Sequence, residues 1–133
     1  MGRGQMIILD THVWIWLSNE SPNFPKPVAT AVNKADVLGV SVISCWEVAM
    51  LVAKQRLGLV MDVQDWISLA LAGPRIRLLP IDPKIAVMST RLPGDFHGDP
   101  ADRLIAATCL IHHASLITKD KRIHEWGQIK TIW

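Results

Sequence analysis

The sequence predicts an α/β protein, a three-layer α/β/α arrangement with a central parallel sheet of four to five strands. Three observations carry this prediction. Short β-branched runs alternate along the chain with longer runs at helical spacing. The strand-like runs are continuously apolar rather than alternating, which suits strands covered on both faces. Successive strands are separated by helices, so they pair in parallel through right-handed crossovers that leave helices on both sides of the sheet.

The first strand is "MIILD", Met6 to Asp10, and "HVWIWLSN" follows with bulky apolar residues at helical spacing. "SPNFPKP", Ser21 to Pro27, is a proline-rich loop before the short helix "VATAVNKA". "VLGVSVIS", Val37 to Ser44, reads as a second buried strand, and "CWEVAMLVAKQRLGL" as a helix closing at Gly58. Asp62 is placed to cap "DVQDWISLALAG", which Gly73 and Pro74 stop. "IRLLPI" is a third strand, and "DPKIAVMSTRL" a helix opened by an Asp-Pro pair. The loop "PGDFHG" leads into a helix from Asp99 to His112, then the strand "SLIT", a turn or helix "KDKRIHEW" and a last short run "IKTIW". No internal repeat or low-complexity segment interrupts this order.

Composition narrows the function classes. At 133 residues and 50% hydrophobic, the chain is expected to form one domain over residues 1–133 with a sizeable core. No apolar run reaches the roughly 18 to 20 residues that span a bilayer, and the start lacks a signal peptide, so a cytoplasmic protein is expected. Residues 1–5 read as a tag remnant or an upstream extension. Cys45 and Cys109 form neither a disulfide framework nor a zinc site and are expected in the core. The net charge of +2 is too small to announce a nucleic-acid binder, although Lys54 with Arg56, Arg75 with Arg77, and Lys119 with Lys121 and Arg122 form small positive clusters.

The placement of the 12 acids is more informative. Asp10 ends the first strand, Glu47 is expected in the first turn of the helix after the second, Asp102 in the first turn of the helix before "SLIT", and Asp120 just after that strand. In a parallel sheet the C-terminal ends of strands and the N-termini of the helices that follow share one edge, where open α/β folds place ligands. Asp10, Glu47 and Asp120 should meet there. Asp102 joins them on a further assumption, that the loop before its helix climbs back over the sheet, because a helix preceding a strand is expected to begin at the opposite edge. Each acid also has a plain structural reading. Asp99 followed by Pro100 fits an N-cap, with Asp102 in the capping-box position; Glu47 suits a helix N-terminus; Asp120 suits a turn. Asp10 is harder to read so, since Asp is disfavoured in strands. Carboxylates gathered on one spot raise one another's pKa unless a cation neutralises them. An all-oxygen set of this kind suits Mg²⁺ or Mn²⁺ and the metal-assisted hydrolysis of a phosphodiester.

The segments "ILDTHVWIW", "ISCWEVAML", "HGDPADRLIAATCL" and "SLITKD" occur in the order and approximate spacing of PIN-domain proteins, and more narrowly the chain resembles the VapC-type toxins of bacterial type II toxin–antitoxin modules. The resemblance covers nearly the whole chain. It implies a PIN-like fold, a divalent-metal-dependent endoribonuclease acting on RNA, a homodimer, and a VapB-type antitoxin that blocks the site and carries the complex, a heterotetramer or larger, to operator DNA. Carried over by motif, it implies Asp10, Glu47, Asp102 and Asp120 as the catalytic and metal-holding acids, with Thr11 and Thr118 as hydroxyl neighbours. It also brings the start of Asp102's helix to the acidic pocket. Asp99 is then either a cap or an outer neighbour of the metal, the cap being ranked first, and Arg103 either pairs with Asp99 or meets a substrate phosphate.

Other side chains carry less. Trp14 and Trp16, two apart on a helix, point to different faces, so at least one is expected at a subunit or partner interface. Trp46 and Trp66 are expected in the core. The five histidines lack a metal-ligand spacing and read as surface or loop residues. Two rival classes remain: a phosphoryl-transfer domain, which would want a second acid near Asp10, and a PIN-fold module that binds RNA or protein without cutting.

Overall fold

The computed structural model describes residues 5–19 and 23–133. The expectations for residues 1–4, and for residues 20–22 at the start of the proline-rich loop, lie outside the described residues. In chain order the elements are β1 (Met6–Leu9), α1 (Thr11–Ser18), α2 (Lys26–Lys34), β2 (Val37–Ser41), α3 (Val42–Ala53) and α4 (Val63–Leu71). The second half adds β3 (Ile76–Leu79), α5 (Pro83–Met88), α6 (Pro100–His112), β4 (Ser115–Ile117), α7 (Lys121–Trp126) and β5 (Thr131–Ile132).

All five strands join one parallel sheet in the order β3-β2-β1-β4-β5. From the central β1 the chain steps outward through β2 and β3, then crosses to the other side for β4 and β5. This reversal makes the C-terminal ends of β1 and β4 a switch point, where the following helices part to opposite faces and leave a crevice. The core shows the parting directly. Val13 and Trp14 of α1 pack with Ile7, Leu9 and Ile117 on one face, whereas Ile123 of α7 packs with Ile8, Leu116, Ile105 and Cys109 on the other. The register pairs Ile8 with Leu116 and Leu9 with Ile117, so the two-residue alternation of both central strands stays in phase. Trp14 is fully buried and meets Trp66 edge-on at 5.1 Å.

Side-chain caps decide where most helices begin. Asp10, Ser41, Asp62, Asp82, Asp99 and Asp120 each accept a backbone N–H at the start of α1, α3, α4, α5, α6 and α7. Ser41 corrects the expected second strand, which ends there rather than at Ser44. Its Oγ accepts the Ile43 N–H at 3.2 Å, and the β-branched run that looked like strand enters α3 instead. Glu47 consequently lies in the second turn of α3, not the first. The helix also stops short of Gly58. Gln55 takes the left-handed conformation with φ 59°, and the Arg56 N–H closes onto the Leu51 carbonyl at 2.8 Å.

The direction of α6 removes the assumption attached to Asp102. A helix joining parallel strands runs antiparallel to them, so one that ends where β4 begins must start at the opposite edge, where the strands finish. Only His113 and Ala114 separate α6 from β4, with His113 left-handed at φ 52°. No climbing loop is required. Other expectations divide. Trp66 and Cys109 are buried and Cys45 is half-buried, but Trp46 is 57% exposed, because entering the helix at Val42 turns it away from the sheet. Among the described residues no helix is long and apolar enough to cross a membrane.

Candidate active site

The C-terminal ends of β1 and β4 are tied together before any acid is considered. The Asp10 N–H donates to the Ile117 carbonyl at 3.0 Å, extending the sheet by one rung. Asp10 then turns into α1. Its Oδ1 accepts the Thr11 N–H at 2.9 Å, and its Oδ2 accepts the hydroxyl of fully buried Thr118 at 2.6 Å. Burial raises the proton affinity of this carboxyl by more than the two hydrogen bonds lower it.

Thr11 supplies the link to α3. Its backbone meets Asp10, while its hydroxyl donates to Glu47 Oε1 and lies 2.8 Å from Ser44 Oγ. With the single Thr11 proton committed to Glu47, Ser44 is left as donor to Thr11. Ser44 and Glu47 are three apart on one helical face, so the first two turns of α3 present both to α1. Burial, with Asp10, Asp102 and Asp99 as like-charged neighbours, overcomes the Thr11 hydrogen bond and lifts the Glu47 carboxyl from an ordinary 4.5 to about 7.

Asp102 sits in the first turn of α6 below its cap, Asp99, whose Oδ1 accepts the Asp102 N–H at 3.0 Å. His97 Nε2 lies 2.7 Å from Asp102 Oδ2. The His97 ring is held by stacking on Phe96, with centroids 4.4 Å apart. Burial is again the largest influence on Asp102 and raises its proton affinity, against the lowering by His97. Arg103 pairs with neither Asp99 nor the cleft. Its guanidinium donates to the carbonyls of Ser89, Phe96 and His97 at 2.9 to 3.0 Å, which fixes the loop that carries His97.

Asp120 caps α7, accepting the Arg122 N–H at 2.8 Å, while its own N–H donates to Thr118 Oγ1 at 3.1 Å. The exposed Arg122 guanidinium lies 3.6 Å from Asp120 and 3.9 Å from Asp102. Thr118 is braced from behind. Its carbonyl is 2.6 Å from His124 Nε2, and His124 Nδ1 is 2.6 Å from the Thr131 hydroxyl. The carbonyl can only accept, so Nε2 carries the proton and Nδ1 accepts from Thr131. A line of hydrogen bonds thus runs from β5 through His124 and Thr118 to Asp10.

Asp10, Glu47, Asp99, Asp102 and Asp120 line one cleft of about 610 Å³, joined by His12, Val13, Trp16, Lys119 and Lys121. Four of these acids come from separate places in the chain, the ends of β1 and β4 and the helices α3 and α6. The donors available to a cation fit a divalent ion. Glu47 Oε2 and Asp102 Oδ1 accept no hydrogen bond from the described residues, and His97, Asp102 and Asp120 each place one ligand atom within 4.8 Å of the others. Burial first, and the like charges of neighbouring acids after it, raise the proton affinity of Asp10, Glu47 and Asp102. His97, His124 and Ser44 escaped the sequence reading. Only His97 had a usable signal, its position five residues before Asp102 across a glycine and a helix cap. His97 lies in a loop as expected, half-buried and hydrogen-bonded to Asp102, whereas His124 corrects the expectation that the histidines are surface or loop residues, being half-buried within α7 and bonded to the Thr118 carbonyl.

The chain matches the model of the PIN domain over residues 7–128. It is 37% identical over 129 residues to Ribonuclease VapC22 of Mycobacterium tuberculosis, which spans 96% of this chain and 98% of that protein. In fold it is similar to a chain of VapBC2 from Rickettsia felis, solved bound to a promoter DNA fragment, with TM-score 0.71, 18% identity and coverage of 96% and 97%. It is likewise similar to a chain of VapBC-1 from nontypeable Haemophilus influenzae, with TM-score 0.67, 22% identity and 96% of both chains covered. The chain belongs to the PIN-domain family and, within it, is similar to VapC proteins.

Proposed function

We propose that this protein is a toxin-type endoribonuclease that depends on a divalent metal and hydrolyses RNA phosphodiester bonds at the acidic cleft. The observation that carries the reading is the meeting of Asp10, Glu47, Asp102 and Asp120 in one cleft from four distant parts of the chain. These acids would hold Mg²⁺ or Mn²⁺. Such an ion acts as a Lewis acid on the phosphate and makes water a usable nucleophile at neutral pH. The chain's own groups orient the holders. Thr118 fixes one Asp10 oxygen and the Thr11 N–H the other, the Thr11 hydroxyl fixes one Glu47 oxygen, and His97 fixes one Asp102 oxygen. Locked donors of this kind keep ligands in place without reorganisation during reaction. Glu47 retains a proton near neutrality in the metal-free protein, so filling the site would release it.

Similarity to Ribonuclease VapC22 supports the nuclease reading, and similarity to chains of VapBC complexes supports a VapB-type antitoxin as partner. We further propose a cytoplasmic homodimer that reaches operator DNA only as part of the antitoxin complex. The deciding experiment incubates antitoxin-free protein with total cellular RNA and Mn²⁺ or Mg²⁺, beside an Asp102→Asn variant purified identically. Discrete fragments from the wild type alone, abolished by EDTA, are expected. The same pattern from both proteins would remove Asp102 from the chemistry and shift the reading to a non-cutting binding module.

A further inference from the structure

One wall of the cleft is not acidic. Trp16 of α1 and Lys119 of the turn after β4 both line it, and the Lys119 ammonium lies over the Trp16 ring, 6.0 Å from its centre. Lys121 lines the same cleft. Both lysines are exposed, and neither pairs with an acid among the described residues. Trp16 is half-buried and held from the side by Trp133 at 5.9 Å and His12 at 6.0 Å, so its plane is fixed. The neighbouring core needs neither cation. Val13 and Trp14 already fill the sheet-facing side of α1.

We propose that this wall is a binding site for one unpaired nucleotide beside the scissile phosphate, with its base stacked on Trp16 and its backbone phosphate held by Lys119 and Lys121. The inference rests on the ribonuclease reading of the cleft and adds what that reading lacks, a part of the protein that attracts RNA. Five carboxylates repel a polyanion, and cations along one edge are what let a strand lie beside them. A fixed aromatic face accepts any base that is free to leave its stack. A paired base has both faces covered by its neighbours, so a duplex offers the ring nothing. Lys119 covers the ring in the free protein. When a base takes its place, the ammonium has a phosphate to move to.

The test uses Asp102→Asn with Mn²⁺, so that RNA binds without being cut, and a short single-stranded oligoribonucleotide carrying 2-aminopurine. Quenching of the probe on binding is expected. Adding Trp16→Ala should weaken binding on the order of tenfold and abolish the quench, whereas Trp16→Phe should keep both. Lys119→Ala should lower the slope of log affinity against log salt by about 0.7. If Trp16→Ala does not fold, Trp16→Leu, which refills the space without a ring, and the exposed Lys119→Ala decide. Unchanged affinity in these variants, equal affinity for the base-paired form of the same RNA, or no RNA binding at all would overturn the inference. Failure of the enzyme reading shows separately: RNA that binds and quenches yet is never cut by the wild type with metal removes the nuclease and leaves the wall standing.

Discussion

Asp10 and Asp62 do the same local job and come to different ends. Each stands just before a helix, and each accepts a backbone N–H from the first turn at 2.9 Å. Asp62 does so in the open, ahead of α4 and away from other acids of the cleft. Asp10 does so at the switch point, under a buried threonine hydroxyl and among four more carboxyls. Capping is therefore the shared chemistry of aspartate at helix starts, and topology alone turns one cap into part of a site. The comparison predicts opposite responses to mutation. At Asp62 the carboxyl should stabilise the fold; at Asp10 it should strain the metal-free fold and serve the reaction.

The largest expected effect is on catalysis. Asp10→Asn and Asp102→Asn should each lower metal-dependent RNA cleavage on the order of a hundredfold or more, measured as initial rates at saturating Mn²⁺. Asp62→Asn and Asp82→Asn should leave those rates unchanged. Equal losses from the two pairs would erase the distinction between cap and site.

Next comes the hydrogen-bonded support. Thr118→Val keeps shape but removes the donor to Asp10 and the acceptor for the Asp120 N–H. It should weaken Mn²⁺ binding by about 10- to 100-fold, read by calorimetric titration. His124→Leu acts one step further back and should cost less, with His124→Gln retaining part of the affinity through its own donor. A Thr118→Val variant with wild-type metal affinity would place Asp10 outside the metal site.

The pH response should be smaller and has a definite sign. Glu47 holds its proton more tightly folded, at about 7, than at the ordinary 4.5. Between these values the native state binds more protons than the unfolded one, so stability falls as pH rises through the window and the contribution of the protonated group is lost above about 7. Melting of metal-free protein across that range should show the decline, and Glu47→Gln should flatten it. The smallest effect is Asp62→Ala, which should cost about 1 kcal/mol of stability with activity intact, as read by denaturant unfolding.

Much of this arrangement was legible in the chain. Continuous apolar runs at Met6 and Ser115 and the helix from Asp99 announced a parallel sheet, and strand-end placement marked Asp10 and Asp120. Glu47 lies one turn later in α3 than the pattern predicts, because Val42 and Ile43 look like strand and the Ser41 cap is a single hydroxyl. Periodicity reads faces, whereas a cap is one bond. His124 and Thr131 were not legible at all. Their link to Asp10 depends on the pairing of β4 with β5, a contact that no local spacing encodes.

The most direct measurement is the melting temperature of the wild type and Asp10→Asn, each with EDTA and with increasing Mn²⁺. An acid cluster built for a cation predicts a wild type that is the less stable of the two without metal and gains stability steadily with Mn²⁺, while Asp10→Asn starts higher and responds little. A wild-type melt that ignores Mn²⁺, or an Asp10→Asn protein that is less stable than the metal-free wild type although asparagine caps as well as aspartate, would contradict a metal site at the switch point.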